Sequence, residues 1–385
     1  MNYVALKIHR RRYCGTAARE ARVHDRLRDQ TGLCPEIIEL RETFLFDGHA
    51  CLAFEKHGLS LDNVLDQRPL TPLRVRHVVR QMLMALERLH RCGYTHTDVK
   101  TANILYDPRG GEARLADLGN AREQLRQGAQ LGTREYTPPE VLIGAPLQPN
   151  LDLWSLGCSA FEMLTGKPLF DPRATAEKKY LEFSRGKDAV AVPLAQKVLD
   201  DMASEEEEQF SPGSTVAGKY KLRRVLGQGR FGTVWLAHQL TDDPLVCSCK
   251  AARIHKRGAS SVAPGETERE RAWRRAKGAD DLLDLALNYE HVLLIARLCG
   301  PFPRAMVKSA RYRSSYFENN GDLRFRPRVG PVSLRDRLRR CTPLRKTPLD
   351  LATDFLARLL SVDPNVRPTA AAALAHPWLG GIKYS

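Results

Sequence analysis

The sequence is organised around one polar stretch, Tyr94-Thr-His-Thr-Asp98-Val-Lys100-Thr-Ala-Asn103-Ile-Leu105. It places a carboxylate at Asp98, an ammonium at Lys100 and an amide at Asn103. This order suits phosphoryl transfer: a carboxylate accepts the proton of an attacking hydroxyl, an ammonium neutralises a phosphate and an amide oxygen binds a metal ion. The alternative interpretation is a polar loop around a hydrogen-bonded His96.

The helix predicted ahead of this stretch has clear signals at both ends. Thr71 is a suitable N-cap, Pro72 follows at the first helical position, and Gly93 ends the pattern. Apolar residues recur on one face, at Val75, Val78, Val79, Met82, Leu86 and Leu89. A buried helix therefore leads directly into the polar stretch, as expected where reactive side chains need rigid support.

A second acidic position follows the stretch, in Ala113-Arg-Leu-Ala-Asp117-Leu-Gly119-Asn120. Asp-x-Gly alone is a common turn. Here, however, Asn103 and Asp117 would both offer the hard oxygen donors that Mg²⁺ prefers. The sequence therefore predicts Asn103 and Asp117 as metal ligands. Further on, residues 152–164 form a strongly apolar helical pattern that ends at Gly166.

The residues before the helix read as strands around one further helix. A buried strand over residues 4–8 carries Lys7, and a helical pattern from Thr16 to Leu27 carries Glu20. We expect Lys7 to hold nucleotide phosphates and to pair with Glu20. Strand-like runs cover residues 37–40 with 43–46, and 50–54; Asp47-Gly48 between them is a strong turn signal. The following joint, Glu55-Lys-His57-Gly58, is predicted to present backbone groups to an adenine ring.

Composition indicates the kind of partner. The 385 residues carry a formal net charge of +15, with 43% hydrophobic and 27% charged residues and a pI of about 9.5. A basic surface favours RNA or acidic partners, although a solvated helix face is our default interpretation of the arginine-rich residues 304–346. Nine scattered cysteines and the absence of a signal-peptide or membrane-span pattern lead us to expect a cytoplasmic or nuclear protein without membrane contact.

Taken in order, these residues resemble the signature of eukaryotic-type protein kinases. The matching positions are Val4-Ala-Leu-Lys7, Glu20, His96-x-Asp98-x-Lys100-x-x-Asn103, Asp117-Leu-Gly119, Pro139-Glu140, Asp152-x-Trp154-Ser155 and Arg367. Thr97 stands where most kinases have arginine, which resembles the SR-protein and LAMMER kinases, CMGC-like families. Arg12-Tyr-Cys14 and the degenerate LAMMER motif over residues 290–303 strengthen that resemblance.

The resemblance implies an α+β, bilobal protein-kinase-like fold, with a small β-rich N-lobe and a larger helical C-lobe. It implies a serine/threonine protein kinase that uses ATP and Mg²⁺ and acts on protein substrates rich in Arg and Ser. Asp98 would orient the substrate hydroxyl, Lys100 would neutralise the γ-phosphate and Phe54 would lie behind the adenine. Three further features would be structural: Thr133 would bond near Asp98, Asp152 would anchor the backbone of the catalytic loop, and Glu140 and Arg367 would form a buried ion pair. The absent arginine at Thr97 predicts activity without phosphorylation of the activation segment. The alternative is a catalytically impaired pseudokinase that acts as a scaffold.

A glycine-rich hairpin belongs ahead of the Lys7 strand in such a kinase, but here it lies far downstream, over residues 220–236. Its predicted phosphate-covering positions are Gly227, Gly229, Gly232 and Val234, because backbone N–H groups next to glycine can approach phosphates closely. Lys250 follows as a second candidate for the role of Lys7. A later helical pattern, residues 266–277, offers Glu270.

The sequence therefore divides into four segments. Residues 1–58 are predicted as an N-lobe portion, 59–172 as C-lobe with the catalytic and activation segments, 173–287 as an insertion carrying an acidic linker and the hairpin, and 288–385 as the rest of the C-lobe. Three explanations remain open: the insertion completes the N-lobe, it is the remnant of a tandem copy, or the gene is misassembled. We favour completion within one molecule or within a dimer, because a sheet without its first hairpin exposes an edge.

Overall fold

The computed structural model describes residues 3–171, 210–229, 231–241, 287–324 and 330–380. The chain divides into two compact units. The first comprises residues 1–18, 40–56 and 173–287, and the second comprises residues 19–39, 57–172 and 288–385. Three predictions lie outside the described residues: the acidic linker of the insertion, Lys250 as a nucleotide-binding lysine and the helix with Glu270.

Strands β1 to β9 are distributed between two sheets. In chain order they are β1 (Tyr3–His9), β2 (Leu40–Phe46), β3 (His49–Glu55), β4 (Leu59–Ser60), β5 (Ile104–Tyr106), β6 (Ala113–Leu115), β7 (Thr215–Val216), β8 (Tyr220–Gly229) and β9 (Gly232–Gln239). The first unit holds a six-stranded sheet in the order β2-β3-β1-β9-β8-β7, and the second holds a three-stranded sheet in the order β4-β5-β6. Neighbouring strands are antiparallel throughout.

The six-stranded sheet joins distant parts of the chain. Strand β1 lies between β3 and β9, so that Lys7 is opposite Leu52 on one side and Val234 on the other. The glycine-rich hairpin, β8 and β9, therefore pairs with the Lys7 strand, although β1 ends at His9 and the hairpin begins only at Tyr220. Both edges of β1 are hydrogen-bonded, which satisfies its backbone groups.

The first unit has its own hydrophobic core. Strand β1 contributes Val4, Leu6 and Ile8, and the hairpin contributes Leu222, Trp235 and Ala237. The ring of Phe44 on β2 stacks on Tyr220 of β8, with the centroids 5.6 Å apart. The Tyr220 hydroxyl donates to Glu42 Oε2 at 2.5 Å, and Lys219 Nζ lies 3.0 Å from the same oxygen. Burial, followed by the hydrogen bond to Glu42, raises the pKa of Tyr220.

Helices dominate the second unit. In chain order the helices are α1 (Cys14–Thr31), α2 (Leu61–Leu65), α3 (Pro72–Arg91), α4 (Pro139–Ile143), α5 (Leu151–Thr165), α6 (residues 287–299), α7 (Arg304–Ser309), α8 (Arg313–Tyr316), α9 (Leu334–Cys341), α10 (Lys346–Leu359) and α11 (Ala370–Leu374). Helices α3, α5 and α10 bury apolar faces in one continuous core. None of the described helices is long and apolar enough to cross a membrane.

Local signals at the two central helices are confirmed. Thr71 caps α3 by accepting a hydrogen bond from the Arg74 amide, Pro72 occupies the first turn, and Gly93 beyond its end has a φ of +82°. Gly166 ends α5 with a φ of +70°, a conformation that costs glycine little because it has no Cβ. The predicted α+β class is confirmed by the two sheets and the helical unit.

Three predicted boundaries were wrong. Residues 37–39 are not part of β2, which begins at Leu40; Ile37 forms only an isolated bridge to Leu115. The predicted closing helix over residues 369–379 stops at Leu374 and resumes as a 3₁₀ turn, Pro377–Leu379, because a proline inside a helix lacks the N–H and clashes with the preceding turn. Helix α10 begins at Lys346 rather than Asp350.

Candidate active site

The polar stretch is held by a buried carboxylate on α5. Asp152 accepts hydrogen bonds from the amides of His96 and Thr97, each at 2.8 Å, and its Oδ2 also lies 2.8 Å from Nε2 of His90. Thr97 adopts a φ of +69°, and its hydroxyl donates to the Asn120 carbonyl at 2.9 Å. The predicted role of Asp152 as a backbone anchor is confirmed, because two amides of the loop end on one rigid side chain.

Three side chains form a closed triangle at the centre of the stretch. The Thr133 hydroxyl donates to Asp98 Oδ1 at 2.8 Å and accepts from Lys100 Nζ at 2.7 Å. Lys100 Nζ is also 3.1 Å from Asp98 Oδ2. The predicted contact of Thr133 near Asp98 is confirmed. The ammonium thus stays beside the carboxylate, and both keep a fixed position relative to the backbone.

Asn103 contacts the triangle, and a backbone hydrogen bond links it to the residue before Asp117. The Asn103 amide nitrogen donates to the Asp98 carbonyl at 2.8 Å, which leaves its amide oxygen as the acceptor atom. The Ala116 amide donates to the Asn103 carbonyl at 2.9 Å, so that Asp117 follows directly after a residue tied to Asn103. Asp117 has a φ of +61° where a 3₁₀ turn begins.

This donor set fits Mg²⁺, since an amide oxygen and a carboxylate are the hard ligands it takes alongside phosphate oxygens and water. No cluster of three or more His, Cys, Asp and Glu side chains able to hold a metal ion occurs among the described residues. Asn103 and Asp117 would hold such an ion together with phosphate oxygens and water.

A partly buried cluster beside the triangle escaped the sequence analysis. Glu162 Oε2 accepts from the Tyr136 hydroxyl at 2.6 Å and from the Thr101 hydroxyl at 3.2 Å. Burial raises the pKa of Glu162, and burial together with the carboxylate raises the pKa of Tyr136. One signal was available: with Asp152, Glu162 interrupts an otherwise apolar helix.

A buried ion pair between Glu140 and Arg367 lies at the end of the segment that carries Thr133. Arg367 donates to both carboxylate oxygens of Glu140, at 2.6 and 3.0 Å, and both side chains are completely buried. Arg367 also donates to the Ser361 carbonyl at 3.0 Å. The predicted structural ion pair is confirmed. Its bidentate geometry fixes the end of the segment that carries Thr133.

The predicted nucleotide-binding residues are divided between the units. In the first unit, Val234 on β9 is opposite both Lys7 on β1 and Gly227 on β8, and Lys7 is largely buried. Phe54 is buried in β3 and Glu55 ends that strand. In the second unit, Glu20 is buried on α1, and His57 Nε2 lies 3.3 Å from the Glu112 carbonyl oxygen. Their binding roles stay predictions.

The hairpin glycines differ in what surrounds them. A Cβ at Gly232 would lie 2.0 Å from the Ile8 carbonyl oxygen, whereas one at Gly227 or Gly229 would meet no atom of the described residues within 4 Å. A hydrogen bond joins the hairpin to the residue that follows β1: the Phe231 carbonyl accepts from the Arg10 amide at 2.9 Å. Its ring also meets Tyr13 edge-on. Gly232 thus permits the close pairing of β9 with β1, and the other two glycines leave their surface open.

A catalytic loop anchored on a buried helix, an Asp-x-Gly turn beside it and a glycine-rich hairpin paired with a lysine strand together define a phosphotransferase. The family model described as "Protein kinase domain" matches residues 2–213. The chain therefore belongs to the protein kinase domain family, and the predicted α+β, bilobal kinase fold is confirmed. We refer below to residues 117–140, from the Asp-x-Gly turn to Pro139-Glu140, as the activation segment.

The similar curated proteins are kinases of the CMGC type. Dual specificity tyrosine-phosphorylation-regulated kinase 3 of Rattus norvegicus is 33% identical over 177 residues, 44% of this chain and 30% of that protein. Serine/threonine-protein kinase prp4 of Schizosaccharomyces pombe is 32% identical over 172 residues, 43% of this chain and 36% of that protein. The matched region thus spans about a third of the length of these relatives.

Proposed function

We propose that the chain is an active serine/threonine protein kinase that transfers the γ-phosphoryl group of ATP to protein hydroxyls. The observation that carries this proposal is the triangle of Asp98, Lys100 and Thr133, with every edge between 2.7 and 3.1 Å. An acid, a cation and a positioning hydroxyl held this closely match the needs of phosphoryl transfer, in which positioning and charge stabilisation do most of the work.

Each side chain then has one task. Asp98 accepts the proton of the attacking hydroxyl, and Lys100 balances the charge that develops on the transferred phosphoryl group. Thr133 fixes the rotamers of both. Lys7 binds the α- and β-phosphates of ATP, and the backbone of Gly227 and Gly229 covers the phosphates.

Asn103 and Asp117 hold Mg²⁺ in this proposal. When bound, the ion neutralises phosphate charge and orients the phosphoryl group for in-line displacement. The protein prepares for it by engaging the Asn103 nitrogen with Asp98, which directs the amide oxygen away from that contact.

Phosphoryl transfer to a serine-containing protein, measured with labelled ATP, tests the assignment. We expect Asp98→Asn and Asp117→Ala to reduce the rate by at least about 100-fold, the usual contribution of a positioned proton acceptor or metal ligand. Asp66→Asn changes an exposed carboxylate after α2 and serves as the matched control. Full activity in Asp117→Ala at an unchanged melting temperature would refute the assignment.

The alternative, a catalytically impaired scaffold, rested on the displaced hairpin. Pairing of β9 with β1 weakens that alternative because it supplies the strand that the sequence order displaces. Binding of Mg²⁺·ATP, seen as thermal stabilisation, without transfer to any protein would favour the scaffold instead.

For the substrate we propose proteins rich in Arg and Ser, on the basis of Thr97 and the degenerate LAMMER motif. The basic charge also supports an RNA or acidic partner, and the scattered cysteines support a cytoplasmic or nuclear location. Some of this charge is structural, however. Arg337 lies over the Phe161 ring and donates to the Leu169 carbonyl at 3.0 Å, and Arg345 donates to three carbonyls. Competition between an Arg/Ser-rich and an acidic peptide, compared by kcat/KM, distinguishes these substrate classes.

A further inference from the structure

The activation segment has no hydroxyl in its first part. Residues 121–132, Ala-Arg-Glu-Gln-Leu-Arg-Gln-Gly-Ala-Gln-Leu-Gly, contain no Ser, Thr or Tyr. The hydroxyls that follow are engaged by the protein: Thr133 with Asp98 and Lys100, Tyr136 with Glu162, and Thr137 with the Thr133 carbonyl at 3.0 Å. A phosphate on this segment therefore cannot be what orders residues 121–132.

Contacts within the second unit hold these residues instead. At the start of the segment, Arg122 and Thr95 exchange two backbone hydrogen bonds, at 2.8 and 2.9 Å. In the middle, the Gln127 amide nitrogen donates to the carbonyls of Gly144 and Ser309, at 3.0 and 2.8 Å. Beside it, the Tyr312 hydroxyl donates to the Gly128 carbonyl at 2.9 Å.

Backbone shape fits the same contact. Gly128 has a φ of +76°, and a Cβ there would lie 2.8 Å from the Arg311 side chain; Gly144 has a φ of +68°, and a Cβ there would lie 2.8 Å from the Tyr312 ring. The Tyr312 amide donates to the Ile143 carbonyl at 3.0 Å, which fixes where its side chain begins. Two glycines thus open the space that Tyr312 fills.

We propose that Gln127 and Tyr312 are positioning residues that hold the activation segment in its working conformation without a phosphate group. Their side chains tie residues 127–128 to residues 309–312, and Thr133 then stays beside Asp98. The effect on catalysis rests on the proposed kinase function, whereas the ordering of the segment does not.

Two isosteric variants remove the donors and keep the shape. Gln127→Glu replaces an amide donor with an oxygen that faces two carbonyls, and Tyr312→Phe deletes one hydroxyl. Gln130→Glu, at an exposed position of the same segment, controls for the added charge. Tyr316→Phe controls for the lost hydroxyl, since Tyr316 stacks on Tyr289 and donates to no activation-segment atom in the part of the chain that the structure describes.

Hydrogen–deuterium exchange of residues 122–132 is the first measurement. One hydrogen bond contributes about 1 kcal/mol net, so we expect about fivefold faster exchange for Tyr312→Phe and more for Gln127→Glu. The two controls should match the unmodified chain. Unchanged exchange in the Gln127→Glu/Tyr312→Phe double variant would overturn the proposal whatever the activity.

Steady-state kinetics on phosphatase-treated protein is the second measurement. We expect kcat/KM for a protein substrate to fall by about fivefold or more in each variant, with the KM for ATP and the melting temperature unchanged. Faster exchange with an unchanged kcat/KM would overturn the catalytic part. If the unmodified chain transfers no phosphoryl group, the proposed function fails, and the exchange data still decide whether Gln127 and Tyr312 order the segment.

Discussion

His291 is a completely buried histidine on α6, and neither of its ring nitrogens has a hydrogen-bond partner among the described residues. Its ring lies 5.1 Å from that of Phe170. Burial, and then the nearby Arg134 guanidinium, lower the pKa of His291 to about 3. In the folded protein the His291 ring is therefore neutral, whereas in the unfolded chain it accepts a proton at the ordinary pKa of 6.5.

The stability of the second unit should consequently decrease as the pH is lowered. Because the pKa is lower in the folded state, the stabilisation is complete above pH 6.5 and is lost as the pH falls towards the folded pKa. From about pH 7.5 to about pH 5.5 this single group should cost roughly 1.3 kcal/mol. Thermal unfolding of His291→Leu should show a smaller loss over that range; an identical pH dependence in both proteins would contradict the prediction.

Local residue chemistry could be predicted from sequence, and longer-range contacts could not. Asp98, Lys100 and Asn103 fall within six positions, so that their proximity follows from the chain itself. Glu162, Thr101 and Tyr136 come from three elements, and only the packing of those elements brings the hydroxyls to the carboxylate. Tyr312 was equally invisible, because a tyrosine in a polar stretch carries no signal for the distant carbonyl that it binds.

At the scale of elements, the glycine-rich hairpin separates two uses of glycine. Gly232 is needed for packing, since a Cβ would overlap the Ile8 carbonyl, whereas a Cβ at Gly229 would contact none of the residues that the structure describes. We expect Gly232→Ala to destabilise the first unit by about 2 kcal/mol or more, because overpacking against backbone cannot be relieved by a rotamer change. We expect Gly229→Ala to leave the melting temperature nearly unchanged.

Thermal unfolding of these two variants provides a matched comparison within one hairpin. If they melted at the same temperature, β9 would not approach β1 as closely as the structure indicates. Phosphoryl transfer by Gly229→Ala adds a separate readout, because a Cβ at an open position obstructs a phosphate without disturbing the sheet.

The helices show why element prediction succeeded in some places. Helix α3 could be predicted from Thr71 and Pro72 at its start and from Gly93 after its end. Each of these signals acts only on the helical turn next to it. The start of β2 and the break between α11 and the last 3₁₀ turn depend on neighbours instead. Residue 37 pairs with Leu115 on β6 rather than with β3, and no periodicity in residues 37–40 reports that partner.

At the scale of the whole molecule, the order of strands in the sheet is independent of their order in the chain. His238 near the end of β9 is opposite Tyr3 at the start of β1, so these two ends lie side by side. A hairpin loop of about two to five residues would join them. The antiparallel register thus permits a connection that the natural chain does not use.

A transposed chain, with residues 210–241 moved ahead of Tyr3 and joined by such a loop, should therefore form the same sheet. We expect its amides in residues 4–8 to keep their protection from hydrogen exchange, because both neighbours of β1 remain. A chain that lacks residues 210–241 is the control and should lose this protection together with the core contributed by Tyr220 and Trp235. Equal loss in both chains would contradict the β1–β9 pairing.

The pairing of β1 with β9 also affects how the protein folds while it is being translated. Lys7 meets Val234 across the sheet, a separation of about 230 residues, and contacts so far apart in sequence form slowly. During translation, the edge of β1 that pairs with β9 stays unpaired until the ribosome has synthesised the hairpin. Such an edge is a template for pairing with other chains. The first unit should therefore depend on chaperones during translation more than a kinase whose hairpin is made first.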